Sequence, residues 1–359
     1  MNSTELIFFS SFIVFIVLVL ILDLLFIGKK NEVLNFKQAM GWSIVWISLA
    51  LAFFVFLKLG AEWVHGIKNP EGILEYYKFN APHSPVPGGT FAEQLEVFRN
   101  RVATEFLTGY VIEYSLSIDN IFVIILILNA FAVKEKHYKP VLFWGILGAL
   151  VFRFIFIFVG SALVHRFDWI LLVFGLFLIY SGVKLLLTKE KEEKIEPKNH
   201  KVVKFLSRYF NVYPHYVRAY FFVRKNKKTF ITPLFIVLII IETTDLIFAM
   251  DSIPAIFAIT RDAYIVFFSN IFAIIGLRSL FFMLVKVIYL FRFLKYGITI
   301  LLIFVGFKLL LHKWLDQVGF TSEHSLYFIL SVIVISILSS VLIKEKKVSL
   351  VVESDDKSA

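Results

Sequence analysis

Long apolar runs separated by short basic segments repeat along almost the whole chain. Nine runs stand out, at about 5 to 28, 39 to 60, 104 to 129, 140 to 164, 167 to 188, 233 to 257, 263 to 287, 291 to 312 and 324 to 343. Each is as long as the roughly 20 apolar residues a helix needs to cross the hydrocarbon core. The pattern predicts an all-α polytopic membrane protein with about nine transmembrane helices.

The basic residues between the runs fall on one side. With the N-terminus outside, the inside segments carry Lys29, Lys30 and Lys37; Lys134, Lys136 and Lys139; a series from Lys189 to Lys228; Lys286, Arg292 and Lys295; and Lys344, Lys346 and Lys347. That arrangement obeys the positive-inside rule and puts the C-terminus in the cytoplasm. The first run has no basic leader and no small-residue cleavage site, because Asp23 and Gly28 lead into Lys29 and Lys30. It is read as a retained span.

Composition agrees with this picture: 59% of residues are hydrophobic, and Phe occurs 42 times in 359 positions, which excludes a soluble enzyme. The absence of cysteine removes disulfides, zinc ribbons and thiolate chemistry together. The formal net charge of +10 lies mostly in loops. It is read as orientation, not as nucleic-acid binding.

Two long connections divide the chain. Residues 1–60 form two N-terminal spans, and 61–103 an outside loop punctuated by Pro70, Pro82, Pro85, Pro87 and Gly88-Gly89. That loop is predicted to be irregular, with one short amphipathic helix around Phe91 to Arg101. Residues 104–188 hold three spans, 189–232 a basic cytoplasmic loop, 233–312 three more spans, and 313–359 a last span and tail. In the basic loop, Tyr220 to Arg224 alternates and is followed by a polar turn and Thr229-Phe230-Ile231, which predicts a small hairpin. Its bases and aromatics suit an anionic leaflet.

Acids interrupt the most apolar runs: Glu113 and Asp119 in one, Glu242, Asp245 and Asp251 in another. An aspartate at a helix centre costs roughly 2.5 to 3.5 kcal/mol of insertion free energy, against about 0.3 to 0.6 gained per Leu, Ile, Phe or Val. Such acids face a protein interior or a wet cavity and mark an ion path.

The two acid-bearing segments also repeat one another. Asp119-Asn120-Ile121-Phe122 recurs as Asp245-Leu246-Ile247-Phe248, Arg153 as Arg278, Arg166-Phe167 as Arg292-Phe293, and Gly182-Val183-Lys184 as Gly306-Phe307-Lys308. Each copy holds three spans, an odd number, so the second is predicted to enter the membrane inverted, as in secondary transporters. Asp119 and Asp245 then both fall near mid-bilayer. The outermost and innermost acids of either span lie only about 9 to 14 Å apart along the axis.

Helical angle separates the acids of the second span. Glu242 and Asp245 share a face, while Asp251 turns to the opposite side. Either the helix breaks or the acids serve different partners. Pro254 favours a break, because it cannot donate to the carbonyl of Met250.

Glu113-Tyr-Ser-Leu-Ser-Ile-Asp119-Asn120 and Glu242-Thr-Thr-Asp245-Leu-Ile-Phe-Ala-Met-Asp251-Ser-Ile-Pro254 resemble the two signature motifs of the TerC/Alx family of bacterial integral membrane proteins. The resemblance extends over nearly the whole chain. It implies a manganese exporter of the bacterial cytoplasmic membrane, with Glu113, Asp119, Asn120, Glu242, Asp245 and Asp251 handling the metal. Ligand chemistry by itself reaches a broader answer: carboxylates, an amide and carbonyls suit Mg, Ca or Mn, and all eight histidines fall in loops or at span ends. Proton exchange would drive export, since clustered acids in a low dielectric titrate as a coupled set.

Arg153 and Arg278 are read as structural or gating counter-charges to the acids, and Lys184 and Lys308 as snorkelling side chains near span ends. A non-transport scaffold that supports metal loading or assembly of secreted proteins is the alternative function, with tellurite resistance as another. An enzyme is not expected, because no nucleophile, histidine base or HExxH motif lies at depth. No resident cofactor is implied; the expected partners are the bilayer, a divalent cation and protons.

Overall fold

In lipid an apolar run satisfies its own backbone hydrogen bonds only as a helix, and helices dominate here. The computed structural model describes residues 3–28, 35–82, 84–167, 169–187, 200–225, 228–287, 293–311, 314–315 and 318–342. In chain order the helices are α1 (Ser3–Gly28), α2 (Phe36–Gly60), α3 (Glu62–His65), α4 (Pro70–Asn80), α5 (Phe91–Ala130), α6 (Tyr138–Arg166), α7 (Trp169–Leu187), α8 (Lys201–Tyr209), α9 (Pro233–Phe257), α10 (Ala263–Ile275), α11 (Leu277–Val287), α12 (Leu294–Leu310) and α13 (Ser322–Leu342). A hairpin of β1 (Phe222–Lys225) and β2 (Lys228–Ile231) precedes α9, with Phe222 opposite Ile231. It stands where the alternating pattern predicts it.

Among the described residues seven helices, α1, α2, α5, α6, α7, α9 and α13, are long and apolar enough to cross a membrane, and α10 with α11, bent by 41°, make an eighth candidate. The span expected at 291 to 312 is the 17-residue α12, and residues 288–292 before it lie outside the described set.

The segment 61–103 differs from the irregular loop expected. α3 and α4 occupy its first part, and Phe91 to Arg101 is no separate helix but the start of the 40-residue α5. The reason is local. Thr90 and Glu93 form a capping box that starts the helix, and no proline follows before Ala130 to stop it. At 1.5 Å per residue α5 is about 60 Å long. That is about twice the hydrocarbon thickness, so one end projects from it. Elsewhere, Asn69 before Pro70 and Thr232 before Pro233 cap α4 and α9, each with proline at the first helical position where its missing N–H costs nothing.

The abundant phenylalanines pack the bundle. Phe12 of α1, Phe53 of α2, Phe106 of α5 and Phe268 and Phe272 of α10 interlock, with ring centroids 4.4 Å apart for Phe12–Phe268 and 4.8 Å for Phe53–Phe272. Glycines bring other helices closer. On α6, Gly145 faces Ile241 and Gly160 faces Phe257, so α6 and α9 run parallel. On α7, Gly175 meets Gly306 and Leu309 while Gly182 meets Thr299 and Leu302, so α7 and α12 run antiparallel in the most extensive helix pair of the bundle.

Candidate functional site

Four helices meet at Arg153. The side chain, on α6, is fully buried, and its Nη1 donates to Glu113 Oε1 on α5 and, at 2.8 Å, to Asn270 Oδ1 on α10. Its Nη2 lies 3.4 Å from Asp245 Oδ1 on α9. Asn270 is oriented for this role, because its Nδ2 donates to the Val266 carbonyl and leaves Oδ1 turned to the guanidinium. Ser117, one turn along α5, donates weakly to Glu113 Oε1 at 3.5 Å. Close packing makes the convergence possible: a Cβ at Gly109 of α5 would stand 2.8 Å from Ser269 Oγ of α10, so only glycine lets those helices meet so closely.

The sequence candidates divide into three places. Glu113 and Asp245 share Arg153. Glu242, three residues before Asp245, lays its carboxylate on Gly148 of α6, where a Cβ would overlap it. Asp251 stands apart from both, accepting a hydrogen bond from Ser181 Oγ of α7 at 2.8 Å with Lys184 of α7 near enough to act on its charge. Asn120 is buried on α5. The side chain of Asp119 lies outside the described residues. Arg278 is buried in the first turn of α11, bordering a small cavity with Leu20, Phe143 and Ile146.

The break expected at Pro254 is not seen. α9 is helical from Pro233 to Phe257, with Pro254 in its last turn, so the one hydrogen bond the proline forgoes lies at the end of the helix and not in its middle. The other option therefore holds: on an unbroken helix Glu242 and Asp251 point to different partners, α6 and α7.

Glu113 and Asp245 share one guanidinium, and Glu242 lies beside Asp245. Glu113 Oε2, Asp245 Oδ2 and Glu242 Oε2 are buried with no hydrogen-bond partner among the described residues, as is Asn120 Nδ2. A buried polar group left unmatched costs about 1 to 3 kcal/mol. Among the described residues, no three His, Asp or Glu side chains form a group that would hold a metal ion.

Sequence reasoning missed a second buried polar cluster, at the ends of α3 and α10. His65 Nε2 lies 2.8 Å from Asp262 Oδ2, Tyr76 OH donates to the same oxygen at 3.2 Å, and His65 Nδ1 is 3.9 Å from Glu5 Oε1. Asp262 Oδ1 caps α10 by accepting from the N–H groups of Tyr264 and Ile265. Burial pushes the His65 imidazole down, but the Asp262 carboxylate outweighs it and holds the group above its ordinary value. Burial likewise opposes ionisation of Asp262, and His65 with the cap hydrogen bonds hold it below its own. An aspartate before an apolar run is a legible helix cap. Nothing near His65 in the chain announces its distant partner.

A bundle of long apolar helices around an interior arginine–carboxylate cluster defines an integral membrane protein with several membrane-spanning helices. The profile of the integral membrane protein TerC family matches residues 98–348, and the chain belongs to that family. It is similar to "Uncharacterized membrane protein STKORF319" of Myxococcus xanthus, 40% identical over 93% of this chain and 91% of the relative. "Uncharacterized membrane protein" of Rickettsia bellii is 38% identical over 90% and 94%. "Putative membrane-bound redox modulator Alx" of Escherichia coli K12 is 40% identical over 84% and 85%. No solved structure matches the chain.

Proposed function

We propose that the protein exports a hard divalent cation, Mn(II), across the bacterial cytoplasmic membrane in exchange for protons, with its N-terminus outside and its C-terminus in the cytoplasm. The observation that carries this reading is the imbalance at Arg153: Glu113 and Asp245 share one guanidinium, Glu242 lies beside Asp245, and each of the three carboxylates has an oxygen without a hydrogen-bond partner among the described residues. An oxygen-only set selects Mg, Ca or Mn over softer metals, and the family resemblance selects manganese among them. Asp245 is the middle residue of α9, which suits a midplane site. Arg153 holds Glu113 and Asp245 when no cation is present, and an arriving cation competes with it for the same oxygens. Asp119, Asn120 and Asp251 extend the path.

Packing supports an inverted repeat. The first helix of each three-helix copy lies on the middle helix of the other, α5 on α10 and α9 on α6, while the third helices, α7 and α12, pair with each other. Export of a divalent ion against an inside-negative potential costs about 2.3 kcal/mol per charge per 100 mV, and inward proton flow offsets it. A redox role like that in the Alx relative's name would not use a thiol of this chain, which has no cysteine.

Proteoliposomes test the proposal. Wild type should move Mn(II) in a manner that follows the pH gradient, and Glu113→Gln, Asp119→Asn and Asp245→Asn should each abolish it. Equal transport by wild type and all three variants would remove the transporter reading and leave the scaffold.

A further inference from the structure

The apolar arc of α8 is only half covered. With successive residues about 100° apart, Val202, Val203 and Leu206 form one flank of that arc, Phe205 and Tyr209 the other, and Ser207, Lys204 and Arg208 the polar face. The first flank is occupied. Leu206 is buried in the core cluster that contains Ile231, Leu234 and Val237, with Val202 and Val203 packed against it. The second flank is open, with Phe205 61% and Tyr209 64% exposed and their rings 5.0 Å apart. Arg208 adjoins this edge on its polar side.

The level of the helix says what lies against that edge. α8 packs on α9, and its core partner Leu234 is in the first turn of that span. Tyr216, in the segment that follows α8, donates to the carbonyl of Phe131 at the C-terminal end of α5, at 2.7 Å. Phe210, Tyr220 and Phe222 add exposed rings nearby in the chain, and Arg218, Arg224, Lys225 and Lys228 add exposed bases. Aromatics beside bases at the end of an apolar span are the composition that lies in a lipid headgroup layer and attracts anionic lipid.

We propose that α8 lies in the plane of the membrane interface and that its open Phe205–Tyr209 edge, with Lys204, Arg208 and the hairpin bases, binds anionic phospholipid. The proposal does not rest on the transport reading. α8 acts as a fixed strut: its covered flank holds the start of α9, and its open flank holds the leaflet.

Because the chain has no cysteine, single replacements report one position each. Phe205→Cys, Tyr209→Cys, Lys204→Cys and Ser207→Cys, each carrying a nitroxide, are placed in the full-length protein in phosphatidylcholine vesicles with and without phosphatidylglycerol. Labels at 205 and 209 should collide with oxygen, relative to a water-soluble nickel chelate, several-fold more than labels at 204 and 207. Phosphatidylglycerol should increase that excess, and an added Arg208→Glu should diminish it. Water-like ratios at all four positions would overturn the proposal, as would an excess indifferent to phosphatidylglycerol. Labels at 205 and 209 that stay immobile and shielded in lipid-free detergent would also overturn it, because protein then covers the edge. All four positions are exposed, so the variants keep their packing.

Discussion

Arg153 Nη2 stands 3.4 Å from Asp245 Oδ1, tying the middle of α6 to the middle of α9. The same guanidinium serves Glu113 of α5 and Asn270 of α10, so one side chain fastens four helices. Buried Glu113 and half-buried Asp245 both pair with it. It cross-links the interior, and in the proposed mechanism it is the competitor that a bound cation would have to displace.

Removing that side chain should therefore cost more than a surface ion pair would. Arg153→Met leaves Glu113 buried and unpaired, an error worth about 3 to 5 kcal/mol. Arg153→Lys should lose less, keeping the charge while giving up the fork that reaches acceptors on three helices. The double variant Arg153→Met with Glu113→Gln should recover part of the loss, because the stranded charge is gone. Thermal unfolding in detergent measures all three. An Arg153→Met protein that melts with wild type would show that the cluster does not hold the bundle.

A substitution at Gly148 should separate function from folding. A Cβ there would overlap the Glu242 carboxylate, the far end of a flexible side chain that swings away cheaply. Gly148→Ala should keep the melting temperature near wild type while transport falls, since Glu242 leaves its place beside Asp245. Gly41→Ala, with nothing within 4 Å, is the control and should change neither. Undiminished transport by Gly148→Ala would mean that the position of Glu242 is immaterial.

Among the described residues, hydropathy located seven of the nine expected spans as bilayer-length helices and an eighth as the bent α10–α11 pair, because an apolar run in lipid satisfies its own backbone as a helix. The hairpin was legible from alternation, and the acids from their cost in apolar surroundings. Three things were hidden. The length of α5 depends on a capping box at Thr90 that the proline-rich stretch before it obscures. The choice between a broken helix and separate partners for Glu242 and Asp251 turned on Pro254, which falls in the last turn of α9 and does not break it. His65 and Asp262 meet only through the tertiary fold, and a lone histidine in a loop carries no sign of that.

The α7–α12 contact should respond to substitution in the opposite way to Gly148. A Cβ on Gly175 would sit 2.9 Å from the Gly306 carbonyl, and one on Gly306 2.8 Å from the Gly175 carbonyl. Backbone cannot swing aside. Gly175→Ala and Gly306→Ala should each destabilise by about 1 to 3 kcal/mol, as overpacking does. Thermal melting in detergent checks this, and a wild-type melting temperature for both would show that the helices part without cost.

The His65–Asp262 pair makes stability depend on pH in a direction that can be worked out. His65 is held above its ordinary 6.5, so its contribution is complete below pH 6.5 and fades as pH rises through the higher folded value. Asp262 is held below its ordinary 3.8, so its contribution is complete above pH 3.8 and fades as pH falls through the lower folded value. Both are in force between those two values. Glu5, Glu105, Tyr76 and Tyr264 also surround the pair, and the carboxylates add to the field that keeps the imidazole charged. Asp262→Asn is the informative variant, because asparagine caps a helix as well as aspartate but brings no charge. In the variant, burial acts on His65 without its main counter-charge and favours the neutral ring. The melting temperature of wild type should exceed that of Asp262→Asn most between about pH 4 and about pH 6, and the gap should narrow as pH rises past 6.5. A gap that stays constant from about pH 5 to about pH 9 would show that the pair does not titrate there, and that Asp262 acts on the fold only as a cap.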